Sequence, residues 1–232
     1  MKKMVIAGLL AAAASGAMAD GAFDGVNAQL GMGFTSLGTE YSSNENNYTQ
    51  PELYNNSTNV KGSQTGMLGN VALGYSYGIN KQFNLAANVF YNFGSDNAGS
   101  LSGSDNSTSS SGTIQAKLKN IWGISVEPGY YFADKSLGFV KLGWAMASTS
   151  GSYNGSDADG SYSSSQSAGT ANGFLYGIGF KQLVTDNIYV GIDAYQIAFS
   201  SKSVTTSDQY GTDTASYKPN MTYGGITVGY KF

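Results

Sequence analysis

The chain has 232 residues, a net charge of −3, 32 Gly, 17 Tyr and only 12% charged side chains, about half the fraction of ordinary soluble domains. It contains no Cys, His or Arg, which excludes disulfides, thiol and imidazole catalysis and any metal site built from imidazole or thiolate. An acidic balance without Arg also argues against a nucleic-acid surface, while a hydrophobic content of 41% is too high for a disordered chain.

Residues 1–19 have the pattern of an export signal. Lys2 and Lys3 open it, Met4 to Ala14 is apolar, and Ala17-Met18-Ala19 is a small-x-small cleavage site ahead of Asp20. Eleven apolar residues are too few for a spanning helix. Cleavage would leave 20–232 as one domain of 232 − 19 = 213 residues, with 12 − 2 = 10 Lys and a net charge of 10 − 15 = −5. No later stretch is apolar enough for a transmembrane helix, and no Cys is available for a lipid anchor.

From Val26 onward the recurring pattern is alternation, the mark of strands with two unlike faces. Eight segments carry it: Val26–Phe34, Met67–Tyr77, Phe83–Phe93, Trp122–Phe132, Val140–Met146, Phe174–Phe180, Ile188–Ala194 and Ile226–Phe232. Short turns at 78–82, 133–137 and 185–187 alternate with long polar stretches at 36–64, 94–112, 150–172 and 200–220. The long stretches are rich in Ser, Gly, Asn and Thr and hold nine acidic residues against three Lys, a net of −6. An even strand number with short turns at one end and long loops at the other predicts an all-β, eight-stranded antiparallel up-and-down transmembrane barrel. It would have four long external loops and three short periplasmic turns.

A soluble sandwich or lipocalin-like barrel also alternates, but points its apolar face inward and covers its surface with charge. Here strand charges are scarce, and aromatics bound an aliphatic band. Tyr77, Phe83, Tyr130, Phe132, Tyr230 and Phe232 lie toward the short turns; Phe34, Tyr91, Phe93, Trp122 and Phe174 lie toward the long ones. A bilayer selects two such girdles.

The opposite face would fill the lumen, which eight strands leave just wide enough for side chains. Glu127 and Lys141 are placed to face each other across adjacent strands, Lys181 and Asp193 to form a near-diagonal pair, and Lys117 and Lys119 to point inward near the outer rim. Opposite charges in a narrow barrel neutralise one another and plug it. Glu127 with Lys141 superficially resembles an acid–base pair, but no nucleophile or cleft accompanies it, so no enzyme and no cofactor are expected. Asp157 and Asp159 lack the later bidentate Glu of a calcium loop. Two positions strain the pattern. Pro128 on the lipid face predicts a bulge. After Ala194, Gln196 would face lipid while Ile197 and Phe199 would face inward, which implies either a bulge or a membrane boundary near Tyr195.

Export signal, eight strands and a terminal Val228-Gly229-Tyr230-Lys231-Phe232 make the chain similar to the small outer-membrane β-barrels of Gram-negative bacteria: opacity proteins, OmpX-type proteins and the N-terminal barrel of OmpA-type proteins. The resemblance implies outer-membrane location, a monomer among outer-membrane lipids, and handling by periplasmic chaperones and the barrel-assembly machinery. It also implies that Val228, Tyr230 and Phe232 serve as the assembly signal. An OmpA-like tether to the cell wall is not among the expectations. The expected role is non-enzymatic and surface-exposed, with adhesion or host contact through the loops; a narrow porin-like channel for small solutes is the alternative.

Overall fold

The computed structural model describes residues 21–47, 56–94, 97–105, 110–157, 160–207 and 211–232. Ala17, Ala19 and Asp20, expected to form the cleavage site of an export signal, lie outside the described residues.

Strands dominate: β1 (Gly25–Asn47), β2 (Asn56–Gly78), β3 (Phe83–Gly94), β4 (Asn97–Asp105), β5 (Ser110–Ala133), β6 (Ser136–Asp157), β7 (Gly160–Leu183), β8 (Ile188–Phe199), β9 (Lys202–Ser207) and β10 (Gly211–Lys231). Eight of them form an antiparallel wall in the order β1-β2-β3-β5-β6-β7-β8-β10. Pairing of β1 with β10, from Asn27↔Lys231 to Asn47↔Gly211, closes it into a barrel. β4 and β9 carry the walls of β3 and β8 outward, pairing with β5 and β10. The break between β3 and β4 falls at Gly94, whose φ of 137° is a conformation that side-chain-bearing residues rarely adopt.

Two of the three short turns are held by a polar side chain of their own. Asn80 Oδ1 accepts from Gln82 N at 2.8 Å and Phe83 N at 2.9 Å, a side-chain mimic of a backbone turn. Asp134 and Lys135 join Ala133 to Ser136 in a two-residue hairpin. Thr185 Oγ1 accepts from Ile188 N at 2.9 Å, and Asn187 Nδ2 donates to the Lys231 carbonyl at 2.8 Å, tying the last short turn to the chain's end.

The alternation read from sequence sets the two faces, and β3 is strictly alternate from Phe83 to Asn92. Leu30, Met32, Val71, Leu73, Val89, Ile124, Val126, Ile192, Ile226 and Val228 all point outward. The band spans about 11 residues of a tilted strand, or roughly 25–28 Å, which matches the hydrocarbon core. No helix among the described residues is long and apolar enough to cross a membrane; the crossing is made by strands.

The long polar stretches depart from the expectation of loops. Most of 36–64, 94–112, 150–172 and 200–220 continues as paired strand, so that β1, β2, β5, β6, β7 and β10 run to between 21 and 24 residues. A membrane crossing needs only about 9–11. Ser, Thr and Asn side chains leave both faces of these extensions polar, so no apolar periodicity marks them as strand, yet their backbones complete the ladder.

One expected irregularity is corrected, and of the two alternatives on β8 the bulge is removed. Pro128 pairs with Leu85, and Val126↔Leu142 and Gly129↔Phe139 keep one register across it, so no bulge lies there. The missing Pro donor interrupts the ladder without shifting it. The β5–β6 register shifts instead between Tyr131 and Ala133, at the turn, and between Lys119 and Trp122, where Asn120 has a φ of 51°, the left-handed region that Asn tolerates better than most residues. On β8 the register is unbroken through Tyr195: Gln196 pairs with Tyr176 and Thr222, and Ile197 with Leu175 and Met221. Gln196 faces outward, where the Tyr176 hydroxyl donates to its Oε1, so its polar end is satisfied there.

Candidate functional site

The described interior is filled at three levels. At the periplasmic end the segment before β1 turns into the mouth. Phe23 is buried there between Tyr131, with ring centroids 6.1 Å apart, and Tyr189, edge-on at 5.7 Å. Leu137 and Leu183 complete the cluster. Asp24 holds the segment in place: its carboxylate accepts from Gly21 N at 2.6 Å and Asn84 Nδ2 at 3.1 Å. Burial pushes the Asp24 carboxyl above the usual Asp range, against the lowering effect of those donors. Lys231 Nζ caps the Ala22 carbonyl at 2.9 Å.

Above this stopper sits the charge cluster. Glu127, Lys141 and Lys181 are buried and Asp193 nearly so. Lys181 Nζ lies 2.7 Å from Glu127 Oε2; Lys141 Nζ lies 3.3 Å from Glu127 Oε1 and 2.9 Å from Asp193 Oδ2. Two cations meet two anions, and the cluster is formally neutral. The ammonium groups also face rings: Lys181 lies 4.6 Å from the Phe139 centroid and Lys141 5.2 Å from that of Tyr195, favourable contacts for desolvated cations. Thr227 Oγ1 donates to Asp193 Oδ1 at 3.3 Å.

Glu127 and Lys141 are therefore brought together, but the Lys181–Asp193 pairing expected from sequence is replaced. Lys181 stands opposite Gly191, and Asp193 opposite Gly179, in the β7–β8 ladder. Each lysine instead reaches across one intervening strand, Lys181 to Glu127 on β5 and Lys141 to Asp193 on β8. Lys141 crosses β7 at Gly177 and Gly179, which present no side chain. In so narrow a barrel the shortest route between charges is a chord through the lumen.

Beside the cluster the wall is lined by amides and hydroxyls. Asn70 Nδ2 donates to Asn92 Oδ1, Asn92 Nδ2 to the Tyr195 hydroxyl at 3.1 Å, and the Tyr189 hydroxyl to Gln29 Oε1 at 3.3 Å. The gap between the stopper and the cluster holds about 10 Å³, room for roughly one water. Tyr189 lies flat against Gly229, where a Cβ would stand 2.0 Å from its Cζ, so the last strand needs glycine at that point.

The third level is apolar. Leu37, Leu68, Leu118, Ile121, Leu175, Ile197, Phe199 and Met221 pack with the Tyr195 and Tyr223 rings, which stack at 4.7 Å. Sequence reasoning missed this layer, because Leu37 and Met221 fell next to or within polar stretches and Ile197 and Phe199 looked out of phase. Their shared inward parity with Leu175 and Leu68 was the available signal.

Lys117 and Lys119 do not line the lumen. The bulge at Asn120 inverts the parity above it, so that Leu118 is buried and Lys119 exposed; Lys117 shares the outward side. An apolar interior at that height favours Leu118 inside and the ammonium groups outside. Val228, Tyr230 and Phe232 lie on the outward face of β10. The Tyr230 and Phe232 rings pack edge-on at 5.0 Å, and Phe232 N donates to the Val26 carbonyl at 2.9 Å at the closing seam.

Among solved structures the chain is similar to Ail, the attachment invasion locus protein of Yersinia pestis, at 13% identity over 86% of this chain and 99% of that one, with a TM-score of 0.28. It is similar to the outer membrane protein OprG of Pseudomonas aeruginosa at 11% identity over 93% and 99%, with a TM-score of 0.41. Similarity to the outer membrane protease OmpT of Escherichia coli is 11% over 89% and 96%, with a TM-score of 0.43. No curated protein matches the sequence. The model of the outer membrane protein beta-barrel domain matches residues 4–232. With that match over nearly the whole chain and the closed eight-stranded wall, the protein belongs to the outer-membrane β-barrel family.

Proposed function

We propose that this protein is a sealed, non-enzymatic barrel that carries a polar β-scaffold outward from the membrane for surface contact or adhesion. The carrying observation is the combination of a filled lumen with walls that continue well beyond the apolar band. A barrel made for passage gains nothing from a stopper, a neutral ion cluster and an apolar layer in series. Wall extensions of paired Ser, Thr, Asn and Gly backbone hold their outer ends at a distance from the membrane with little apolar surface to aggregate. The charge cluster fits a locking role: Glu127 lies within ion-pair distance of both lysines, and Asp193 pairs with Lys141 and accepts from Thr227.

Cells producing the full chain should bind surfaces or host-matrix proteins more strongly than cells producing a form with the β1–β2 and β6–β7 extensions trimmed to short turns. Equal binding by the two forms, at equal surface level, would defeat the contact reading.

A further inference from the structure

Near the periplasmic girdle the lipid-facing wall holds a hollow of about 590 Å³, with Ile79, Phe83, Pro128, Phe132, Val140 and Phe180 among its walls. Its volume lies within the range of about 300–1,000 Å³ usual for ligand clefts. The Phe83, Tyr130 and Phe132 rings form one side, packed edge-on in series at 5.4 Å. Phe132 reaches over Gly138, where a Cβ would run into its ring, so the ring sits close against the β6 backbone.

One backbone group in this lining lacks its ladder donor. Along β5–β6 the pairing passes from Val126↔Leu142 to Gly129↔Phe139 without Glu127↔Lys141 or Pro128↔Val140. On β3, by contrast, Pro128 keeps its pairing with Leu85. The side of β5 that lost a donor is therefore the one toward β6. The Val140 carbonyl, opposite Pro128, accepts nothing from it, because the proline nitrogen carries no hydrogen. Pro128 lies two residues inside Tyr130, roughly 5 Å into the hydrocarbon on a tilted strand. An unpaired carbonyl is costly at that depth.

An occupant of the hollow must be apolar over most of its length and carry one hydrogen-bond donor beside its chain. In a diacyl phospholipid both glycerol oxygens at the chain roots are esters, which only accept, and the headgroup donors stay on the water side of the girdle. A lysophospholipid has a single chain and, next to its ester, a free glycerol hydroxyl that donates. Lys81, exposed in the turn that supplies Ile79, offers a cation on the water side for the phosphate.

We propose that this hollow binds a lysophospholipid of the periplasmic leaflet, its chain against Phe132, Val140 and Phe180 and its hydroxyl donating to the Val140 carbonyl. Pro128 then acts as the specificity device: by withholding a backbone donor it leaves an acceptor for the lipid. The site lies outside the lumen and far from the wall extensions, so its test is independent of the function proposed above.

The full chain is folded in nanodiscs of diacyl phosphatidylcholine containing palmitoyl lysophosphatidylethanolamine, or the same lipid with its glycerol hydroxyl capped as a methyl ether. Lipid retained per barrel is counted by native mass spectrometry. Wild type is expected to retain the hydroxyl form about tenfold better than the capped one, on the order of one hydrogen bond in an apolar setting. Pro128→Val restores a backbone donor and should retain both forms alike, at the level of the capped lipid. Val140→Phe fills the hollow and should lose both. Heat-modifiable gel mobility verifies folding, and Val140→Phe carries the test if Pro128→Val does not fold. Equal retention of the two forms by wild type would overturn the proposal, as would an undiminished preference in Pro128→Val. Retention of diacyl phosphatidylethanolamine as strong as that of the lysolipid would also overturn it. So would a dimer in the nanodiscs that Val140→Phe disperses, since a second copy would then cover the hollow.

Discussion

Glu127→Gln is expected to destabilise the barrel by about 3–5 kcal/mol, the range for breaking a buried ion pair while its partner stays charged. Glu127 touches both lysines of the cluster, Lys181 at 2.7 Å and Lys141 at 3.3 Å. Without its charge the cluster holds two ammonium groups and one carboxylate, Asp193, which pairs with Lys141; among the described residues Lys181 is left against the Phe139 and Tyr189 rings. The loss should therefore exceed that of any exposed pair, such as Lys135–Asp186 at 3.5 Å, worth less than about 1 kcal/mol. Urea unfolding in lipid vesicles, followed by Trp122 and Trp144 fluorescence, measures it. The double variant Glu127→Gln with Lys181→Met should recover most of the loss, because it leaves the neutral Lys141–Asp193 pair, 2.9 Å apart. A mild effect of the single variant, or no recovery in the double one, would contradict the cluster as drawn.

Phe199→Ala should cost about 3–5 kcal/mol, as expected for truncating a large buried side chain that leaves a cavity. Phe199 is packed in the apolar layer with Ile197, Leu175 and Met221, while its neighbour Ala198 faces outward. Ala198→Phe should then be close to neutral, adding an aromatic ring on the lipid side near the girdle. The pair tests the unbroken parity of β8 directly. If the register were reset after Ala194, the two effects would exchange.

These two variants also mark where the sequence was readable and where it was not. The lipid face was legible because a bilayer selects apolar side chains at every second position, and Leu30, Val89, Ile124 and Ile226 follow that rule without exception. The placement of Glu127, Lys141, Lys181 and Asp193 on the inner face followed from the same parity. Their partners did not, because a strand pattern gives neighbours along the ladder, whereas lysine stems cross the lumen over Gly177 and Gly179. Lys117 and Lys119 were misplaced by a single extra residue at Asn120, since inserting one residue in a period-two pattern inverts everything beyond it. The extended walls were hidden for a different reason: with water on both faces, Ser-, Gly- and Thr-rich strands have no apolar periodicity to detect. The stopper at Phe23 and Asp24 lay in the short stretch before the first strand, and its role appears only once β5 and β8 place Tyr131 and Tyr189 around it.

The central claim is that the barrel is sealed along its length by the Phe23 stopper, the Glu127–Lys141–Lys181–Asp193 cluster and the Phe199 layer. Single-channel recording of the purified, folded chain in planar bilayers tests it most directly. Sealing predicts no steady conductance from the wild-type protein under an applied potential, at neutral pH and moderate salt. A steady, reproducible open conductance from the wild-type chain would contradict it and favour a narrow channel for small solutes.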